Sequence, residues 1–87
     1  MEIIRTACAG TEGSNDIMIE ISPCSEGICV ELDSCMEKLY GKTIREVIRR
    51  SAEQMGVENA LIRAKDNGAL DYTIEARVET AVRRACT

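Results

Sequence analysis

The chain has 87 residues, a formal net charge of −4 and a hydrophobic share of 45%, which fits a single folded domain spanning residues 1–87. It contains two Tyr and neither Phe nor Trp. The acidic balance and the scarcity of aromatic rings exclude a nucleic-acid surface, which needs cations and stacking platforms. No apolar stretch approaches the roughly 20 residues of a membrane-spanning helix, so no membrane partner is expected.

The N-terminus lacks the basic segment and long apolar stretch of a secretory signal, so we expect a cytoplasmic protein. The five cysteines form an odd set without a Cys-x-x-Cys pair. In a reducing compartment they are expected to be free thiols, several of them packed as small hydrophobic side chains. Cys24, Cys29 and Cys35 match no familiar zinc spacing, and the chain has no His, so no metal site is predicted.

Residues 1–16 are predicted to form a mobile N-terminal arm that ends in a surface loop. The segment from Met1 to Cys8 fits either a short strand or an extended tail. Residues 9–16 break any periodicity, because they contain two Gly and several small polar side chains.

Two alternating segments follow. Ile17, Ile19 and Ile21 alternate with polar or flexible residues, as in a strand with one buried face. Residues 23–27 have the composition of a turn, and residues 28–33 alternate in the same way. The sequence therefore predicts an antiparallel β-hairpin at this point.

The next segment is predicted to be the first helix. Ser34 and Glu37 have the spacing of a capping box, and Gly56 is placed to end the helix in a left-handed conformation. Apolar residues fall on one stripe at helical spacing and are expected to face the core: Met36, Leu39, Tyr40, Ile44, Val47, Ile48 and Met55.

A third strand is predicted over Asn59 to Lys65, followed by a turn at residues 66–68. The last segment, Ala69 to Cys86, predicts a second helix, with one apolar face formed by Leu70, Ile74, Val78, Ala81, Val82 and Ala85. The fold class is α+β. We expect a small antiparallel sheet in the order β-hairpin, helix, strand, helix, with the two helices packed on one face.

The chain offers few groups for catalysis. Without His it cannot form a Ser-His or Cys-His pair, and its glycines match no phosphate-binding motif. The acidic residues of the loops and strands are interpreted as solvated charges and not as paired catalytic carboxylates: Glu12, Asp16, Glu20 and Glu31. The helix arginines are interpreted as solvated as well, with binding of partner subunits or of a phosphate group as the alternative: Arg45, Arg49, Arg50, Arg77, Arg83 and Arg84. Ser14 fits either of two roles: an ordinary turn residue, or an exposed hydroxyl between small neighbours that another protein can reach. We therefore expect a non-catalytic protein.

Several short segments, taken together, resemble the citrate lyase acyl carrier protein (gamma subunit) family. They lie in the right order over nearly the whole chain: Ala9-Gly10-Thr11, then Ser14 and Asp16, residues 31–33, residues 66–71 and residues 75–79. The family often has a bulkier residue before the serine and a second serine after it, where this chain has Gly13 and Asn15.

The resemblance implies a function. Ser14 would carry phosphoribosyl-dephospho-coenzyme A through a phosphodiester, attached by a prosthetic-group transferase. The arm would hold acetyl and citryl thioesters while citrate is cleaved to acetate and oxaloacetate. The implied partners are the alpha (transferase) and beta (lyase) subunits of citrate lyase. The Asp-Ser-Leu motif of fatty-acid carriers is absent, which argues against plain phosphopantetheine.

Other functions remain open from the sequence. The acyl carrier of malonate decarboxylase is a similar small subunit with a similar arm. A small protein-interaction module, with Ser14 as a turn residue, is an alternative from another class and predicts no covalent adduct. A free-standing enzyme is the third alternative, and the lack of His argues against it.

Overall fold

The computed structural model describes all 87 residues and contains four strands and two helices. Neither helix is long and apolar enough to cross a membrane. In chain order the elements are β1 (Ala7–Gly10), β2 (Ile17–Ser22), β3 (Ile28–Ser34), α1 (Glu37–Gln54), β4 (Ala60–Asp66) and α2 (Asp71–Ala85).

The four strands form one mixed sheet in the order β1-β2-β4-β3. β2 is antiparallel to both of its neighbours, whereas β3 runs parallel to β4. Ile21, Ile62 and Val30 lie side by side in one row across the sheet. Both helices pack against the same face, α1 over β3 and α2 over β1 and β2. The predicted α+β class, with two helices on one face, is confirmed.

The core lies between the sheet and the helices and is almost entirely aliphatic. The alternation predicted for β2 is confirmed, because Ile17, Ile19 and Ile21 are fully buried. β4 contributes Ile62, and α2 contributes a buried stripe that includes Val78. The opposite face of the sheet has no helix over it and carries charged side chains, among them the ion pairs of Arg63 with Glu20 and Glu31.

The predicted antiparallel hairpin between β2 and β3 is wrong. β4 lies between these two strands, and residues 23–27 cross the roughly 10 Å of two strand spacings. That crossing is held to β4, because Ala60 N donates to Gly27 O at 3.0 Å and Gly27 N donates to Asn59 Oδ1 at 2.8 Å. The hairpin in the structure is formed by β1 and β2, and residues 11–16 connect them.

The predicted capping box at the start of α1 is also wrong. The helix begins at Glu37, and its N-cap residue, Met36, makes no side-chain cap. Ser34 ends β3 instead: its hydroxyl donates to Asp66 Oδ2 at 2.7 Å and accepts from Met36 N at 3.0 Å. The helix ends as predicted, with Gly56 at a φ of 81°.

Three residues predicted to face the core are exposed. Leu39 and Tyr40 lie in the first turn of α1, and Leu70 precedes α2; 75%, 52% and 58% of their surfaces are accessible. Helical periodicity assigns a side to each residue, but it does not show where the sheet beneath the helix ends. All five cysteines are free, as predicted, but none is buried, so the prediction that several pack in the core is wrong.

The first six residues run along the end of the sheet opposite residues 11–16. The Met1 ammonium donates to Gly56 O at 2.7 Å, and the amides of Ile4 and Arg5 both donate to Ala85 O. Ile3 is buried among the core residues. The predicted arm is thus packed against the C-terminal ends of both helices before it enters β1.

Ile62→Ala is expected to lower the free energy of unfolding by about 2–5 kcal/mol, because it removes a fully buried side chain from the central strand pair. Leu39→Ala is the matched control and should change the stability by less than about 0.5 kcal/mol, since Leu39 is largely exposed. Urea unfolding followed by circular dichroism measures both. Equal losses for the two variants would show that the first turn of α1 is packed.

Candidate functional site

One end of the molecule collects several elements that are distant in sequence. Because β3 and β4 are parallel and each is followed by a helix, the first turns of α1 and α2 lie at the same end. Residues Thr11–Asp16, here called the Ser14 loop, join β1 to β2 and are hydrogen-bonded to Asn67, directly after β4. We call this the Ser14 end of the molecule.

Gly10 allows the chain to turn into the loop. Its φ is 96°, and a Cβ at this position would overlap the carbonyl oxygen of Ile17 on the neighbouring strand. A residue with a side chain is strained at this φ and has no room at this site. The glycine in the Ala-Gly-Thr segment therefore has a structural reason that is independent of any function.

Ser14 lies at the tip of the loop and is exposed. The residues on both sides of Ser14 form the loop's hydrogen bonds, and none of these bonds involves the Ser14 hydroxyl. Gly13 on one side adds no side chain, and Asn15 on the other has a φ of 63°, in the left-handed region. The hydroxyl is consequently free to react with a group presented from outside.

Asp16 holds the C-terminal side of the loop. Its carboxylate accepts two hydrogen bonds from Arg77 on α2, at 3.1 and 2.9 Å. The same carboxylate accepts the Thr11 hydroxyl at 2.7 Å and the amide of Ile17 at 2.7 Å. Both oxygens are therefore used, and the two ends of the loop are joined to each other and to a helix.

These contacts shift the pKa values of both Asp16 and Arg77. Hydrogen bonds from Arg77, then from Thr11 and the Ile17 amide, hold the pKa of Asp16 far below its ordinary value. The Asp16 carboxylate in turn raises the pKa of Arg77. Only 15% of the Asp16 side chain is exposed, against 39% of Arg77, so this ion pair is better shielded than the others on the surface.

Asn67 braces the loop from the other side. The amide of Asn15 donates to Asn67 O at 2.8 Å, and the amide of Asn67 donates to Asp16 O at 2.9 Å. The side-chain amide of Asn67 also donates to Glu12 O at 3.3 Å. The loop is thus fixed to the turn between β4 and α2 by two backbone bonds after Ser14 and by one bond from the Asn67 side chain before it.

Asp66 in turn fixes the segments that follow β3 and β4. It is buried, and its carboxylate accepts the amides of Gly68 and Ala69 in addition to the Ser34 hydroxyl. Every oxygen of this buried carboxylate is hydrogen-bonded. Asp66 therefore sets the position of Asn67, and through it the position of the Ser14 loop.

The loop holds no base for its own serine. Asp16 stays ionised, but its oxygens accept bonds from Arg77, Thr11 and Ile17, and the chain has no His. Glu12, the other loop carboxylate, forms a 3.4 Å ion pair with Lys65 on the open face of the sheet. The arrangement presents a hydroxyl and does not activate it.

The structure places Ser14 where the sequence predicted it, in a surface loop, but it revises the roles of its neighbours. Asp16 and Arg77, interpreted as solvated charges, form the pair that anchors the loop. Asn67, expected only in a turn, is its brace. The two members of the ion pair lie 61 positions apart, so no local pattern could have connected them.

The chain is similar in sequence and in fold to known proteins. Residues 4–85 match the family model described as "Malonate decarboxylase delta subunit (MdcD)". The chain is 53% identical over 85 residues to the citrate lyase acyl carrier protein of Halothermothrix orenii, covering 98% of this chain and 90% of that protein. It is 47% identical over 85 residues to the protein of the same name from Streptococcus uberis, covering 98% and 84%.

A solved structure shows the same fold. The match is a chain in the crystal structure of a Pseudomonas malonate decarboxylase hetero-tetramer in complex with malonate, with a TM-score of 0.81 and 18% identity. It covers 95% of this chain and 86% of that one. The family model and the curated relatives place the chain among the acyl carrier proteins, which carry a covalently attached prosthetic group. The chain belongs to the citrate lyase acyl carrier protein family, so the resemblance seen in the sequence is confirmed.

Asp16→Asn is expected to lower the free energy of unfolding by about 1–2 kcal/mol at neutral pH. The expected loss is kept this small because Arg77 is partly exposed and water screens its interaction with Asp16. A carboxyl whose pKa is lowered by folding stabilises the protein above its unfolded pKa of about 3.8 and loses that contribution as the pH falls towards its folded pKa. The gap between wild type and variant should therefore narrow as the pH falls from about 5 to about 2.

Thermal unfolding followed by circular dichroism at a series of pH values measures this gap. Asp33→Asn is the matched control, because Asp33 is exposed and makes no ion pair, and it should follow the wild-type curve. A gap between wild type and Asp16→Asn that is constant over the whole range would contradict a role for the ionised carboxylate.

Proposed function

We propose that this chain is the acyl carrier subunit of a citrate lyase complex, with phosphoribosyl-dephospho-coenzyme A attached to Ser14 through a phosphodiester. The observation that carries the proposal is the Ser14 loop itself. An exposed hydroxyl without hydrogen bonds stands at the tip of a loop that is anchored on both sides. The identity of 53% to a citrate lyase acyl carrier protein supports the same function.

Attachment needs another protein. In the proposed step, Ser14 Oγ attacks the phosphorus of an arm donor that carries a phosphoric anhydride. The new O–P bond forms while the anhydride O–P bond breaks, and the phosphate group beyond that bond leaves. The proton of Ser14 goes to a base of the prosthetic-group transferase, because the oxygens of Asp16 are occupied.

The chain's own contribution to citrate cleavage is physical. The alpha subunit would exchange acetyl for citryl on the arm, and the beta subunit would release oxaloacetate and restore acetyl. A tethered thioester turns both encounters into intramolecular ones at high effective concentration. We propose that the anchored fold holds the base of the prosthetic arm. The tip of the Ser14 loop, at the end of residues 1–16, and the prosthetic arm itself supply the movement.

The acyl carrier of malonate decarboxylase is the second candidate. The family model bears that subunit's description, and the solved hetero-tetramer has the same fold. Citrate lyase is favoured because identity is 53% and 47% to two of its carriers but 18% to the chain of the malonate decarboxylase structure. We also propose a cytoplasmic location, which suits the five free thiols.

The carrier purified from its native host should show an increase in intact mass equal to the arm, on the peptide that contains Ser14. Ser14→Ala should abolish this adduct, because no other residue of the loop presents an unbonded hydroxyl: Thr11 donates its own to Asp16. Mass spectrometry of the intact protein and of its peptides provides the measurement.

Ser25→Ala is the matched control, since Ser25 is also exposed but lies in the 23–27 crossing at the far end of β2. That variant should keep the full adduct. An unmodified wild-type chain in a host with active modifying enzymes, or an adduct that persists in Ser14→Ala, would refute the proposal.

A further inference from the structure

An open polar cleft lies next to the Ser14 loop. Its volume is about 350 Å³, and small-ligand sites usually measure about 300–1,000 Å³. Two of its lining residues, Ser34 and Asp66, are hydrogen-bonded to each other and to backbone amides. Five further residues complete the lining of what we call the Ser14 cleft: Glu12, Asp33, Cys35, Lys65 and Asn67.

The cleft keeps hydrogen-bonding groups that the fold does not use. Lys65 lies beside Asp33 in the register of β3 and β4, and its ammonium forms one ion pair, with Glu12 at 3.4 Å. Since an ammonium group has three donors, two of them remain. The Asp33 carboxylate is exposed and has no partner, and Glu12 keeps one free oxygen. Free donors and free acceptors therefore line the same small volume.

The cleft and the attachment serine are close together. Glu12 precedes Ser14 by two residues, which span at most about 7 Å. After Ser14, the amide of Asn15 donates to Asn67 O, and Asn67 Oδ1 lies 3.7 Å from Cys35 Sγ. A group attached to Ser14 is therefore tethered beside the cleft, where its effective concentration is on the order of millimolar.

The chemistry of the lining selects one part of the proposed prosthetic arm. Two exposed carboxylates face one ammonium group, so a phosphate in the cleft would meet a net negative charge. The lining has no aromatic side chain on which an adenine ring could stack. A ribose is neutral, and each of its hydroxyls can both donate and accept, which matches the free carboxylate oxygens and ammonium protons.

We propose that the Ser14 cleft binds the ribose of the phosphoribosyl unit attached to Ser14, with ribose hydroxyls donating to Asp33 and Glu12 and accepting from Lys65. The inference rests on the proposed attachment at Ser14. The phosphates and the rest of the arm stay in water. The bound ribose fixes the direction in which the prosthetic arm leaves the carrier.

The reactivity of Cys35 tests this site, because its free thiol is exposed and lines the cleft. Alkylation by iodoacetamide, followed by peptide mass spectrometry, is compared for the unmodified carrier and for the carrier whose arm bears an acetyl thioester. Cys35 should react about two- to fourfold more slowly in the modified carrier, because a tethered ligand of millimolar affinity fills the cleft about half to three quarters of the time. Cys29, exposed at the opposite end of β3, should react at the same rate in both.

Asp33→Ala separates binding in the cleft from mere crowding by the arm. Its circular dichroism and Tm should match the wild type, because Asp33 is exposed. The ratio of the Cys35 rate in the unmodified carrier to that in the modified carrier should fall to about 1.3 or less, since losing a hydrogen bond to a charged group weakens binding about tenfold. Glu26→Ala, which removes an exposed carboxylate in the 23–27 crossing, is the matched control and should keep the wild-type ratio.

The outcomes separate the ribose site from the attachment. Equal Cys35 rates in the modified and unmodified wild-type carrier, or a ratio that Asp33→Ala leaves unchanged, would overturn ribose binding in the cleft and leave the attachment at Ser14 intact. A wild-type chain that carries no adduct on the Ser14 peptide would overturn the attachment, and the ribose site with it.

Discussion

The carboxylate of Asp16 is the constraint on which the Ser14 loop depends. Its four hydrogen bonds join Thr11, the start of β2 and Arg77 on α2. Because the ionised form receives all of them, the pKa of Asp16 is held down and the loop stays closed at neutral pH. The tip carries no such bonds, which leaves Ser14 available to a partner. In the proposed carrier function, this combination places an anchored loop and a free hydroxyl at the base of the prosthetic arm.

The sheet topology brings the rest of that end together. With β4 inserted between β2 and β3, its last residue, Asp66, reaches the end of β3 through Ser34 and the start of the next turn through Ala69. The helices that follow the two parallel strands then begin side by side. One buried carboxylate and one shielded ion pair consequently place the loop and both helix starts at one end of the molecule.

Much of the secondary structure could be predicted from the sequence, because period-2 and helical alternation report burial directly. That is why β2, β4 and the end of α1 at Gly56 were predicted correctly. The pairing of the strands was not predicted correctly, since alternation shows which face of a strand is buried but not which strand lies beside it. Ser14 was predicted as the attachment site through resemblance to a family, and that role stays a proposal. Its anchor was missed, because Asp16 and Arg77 come together only once the fold is known. Leu70 fits the helical stripe but lies beyond the sheet.

Amide hydrogen exchange of the unmodified protein, followed by NMR, tests the anchored loop most directly. Protected amides are expected at Asn15, Ile17 and Asn67, which donate to Asn67 O, Asp16 Oδ1 and Asp16 O, respectively. The amide of Ser14, which has no partner, should exchange at the rate of a free chain. Equal, unprotected exchange at all four residues would contradict the anchoring of the loop by Asp16 and Asn67 and show a loop that is loose along its whole length.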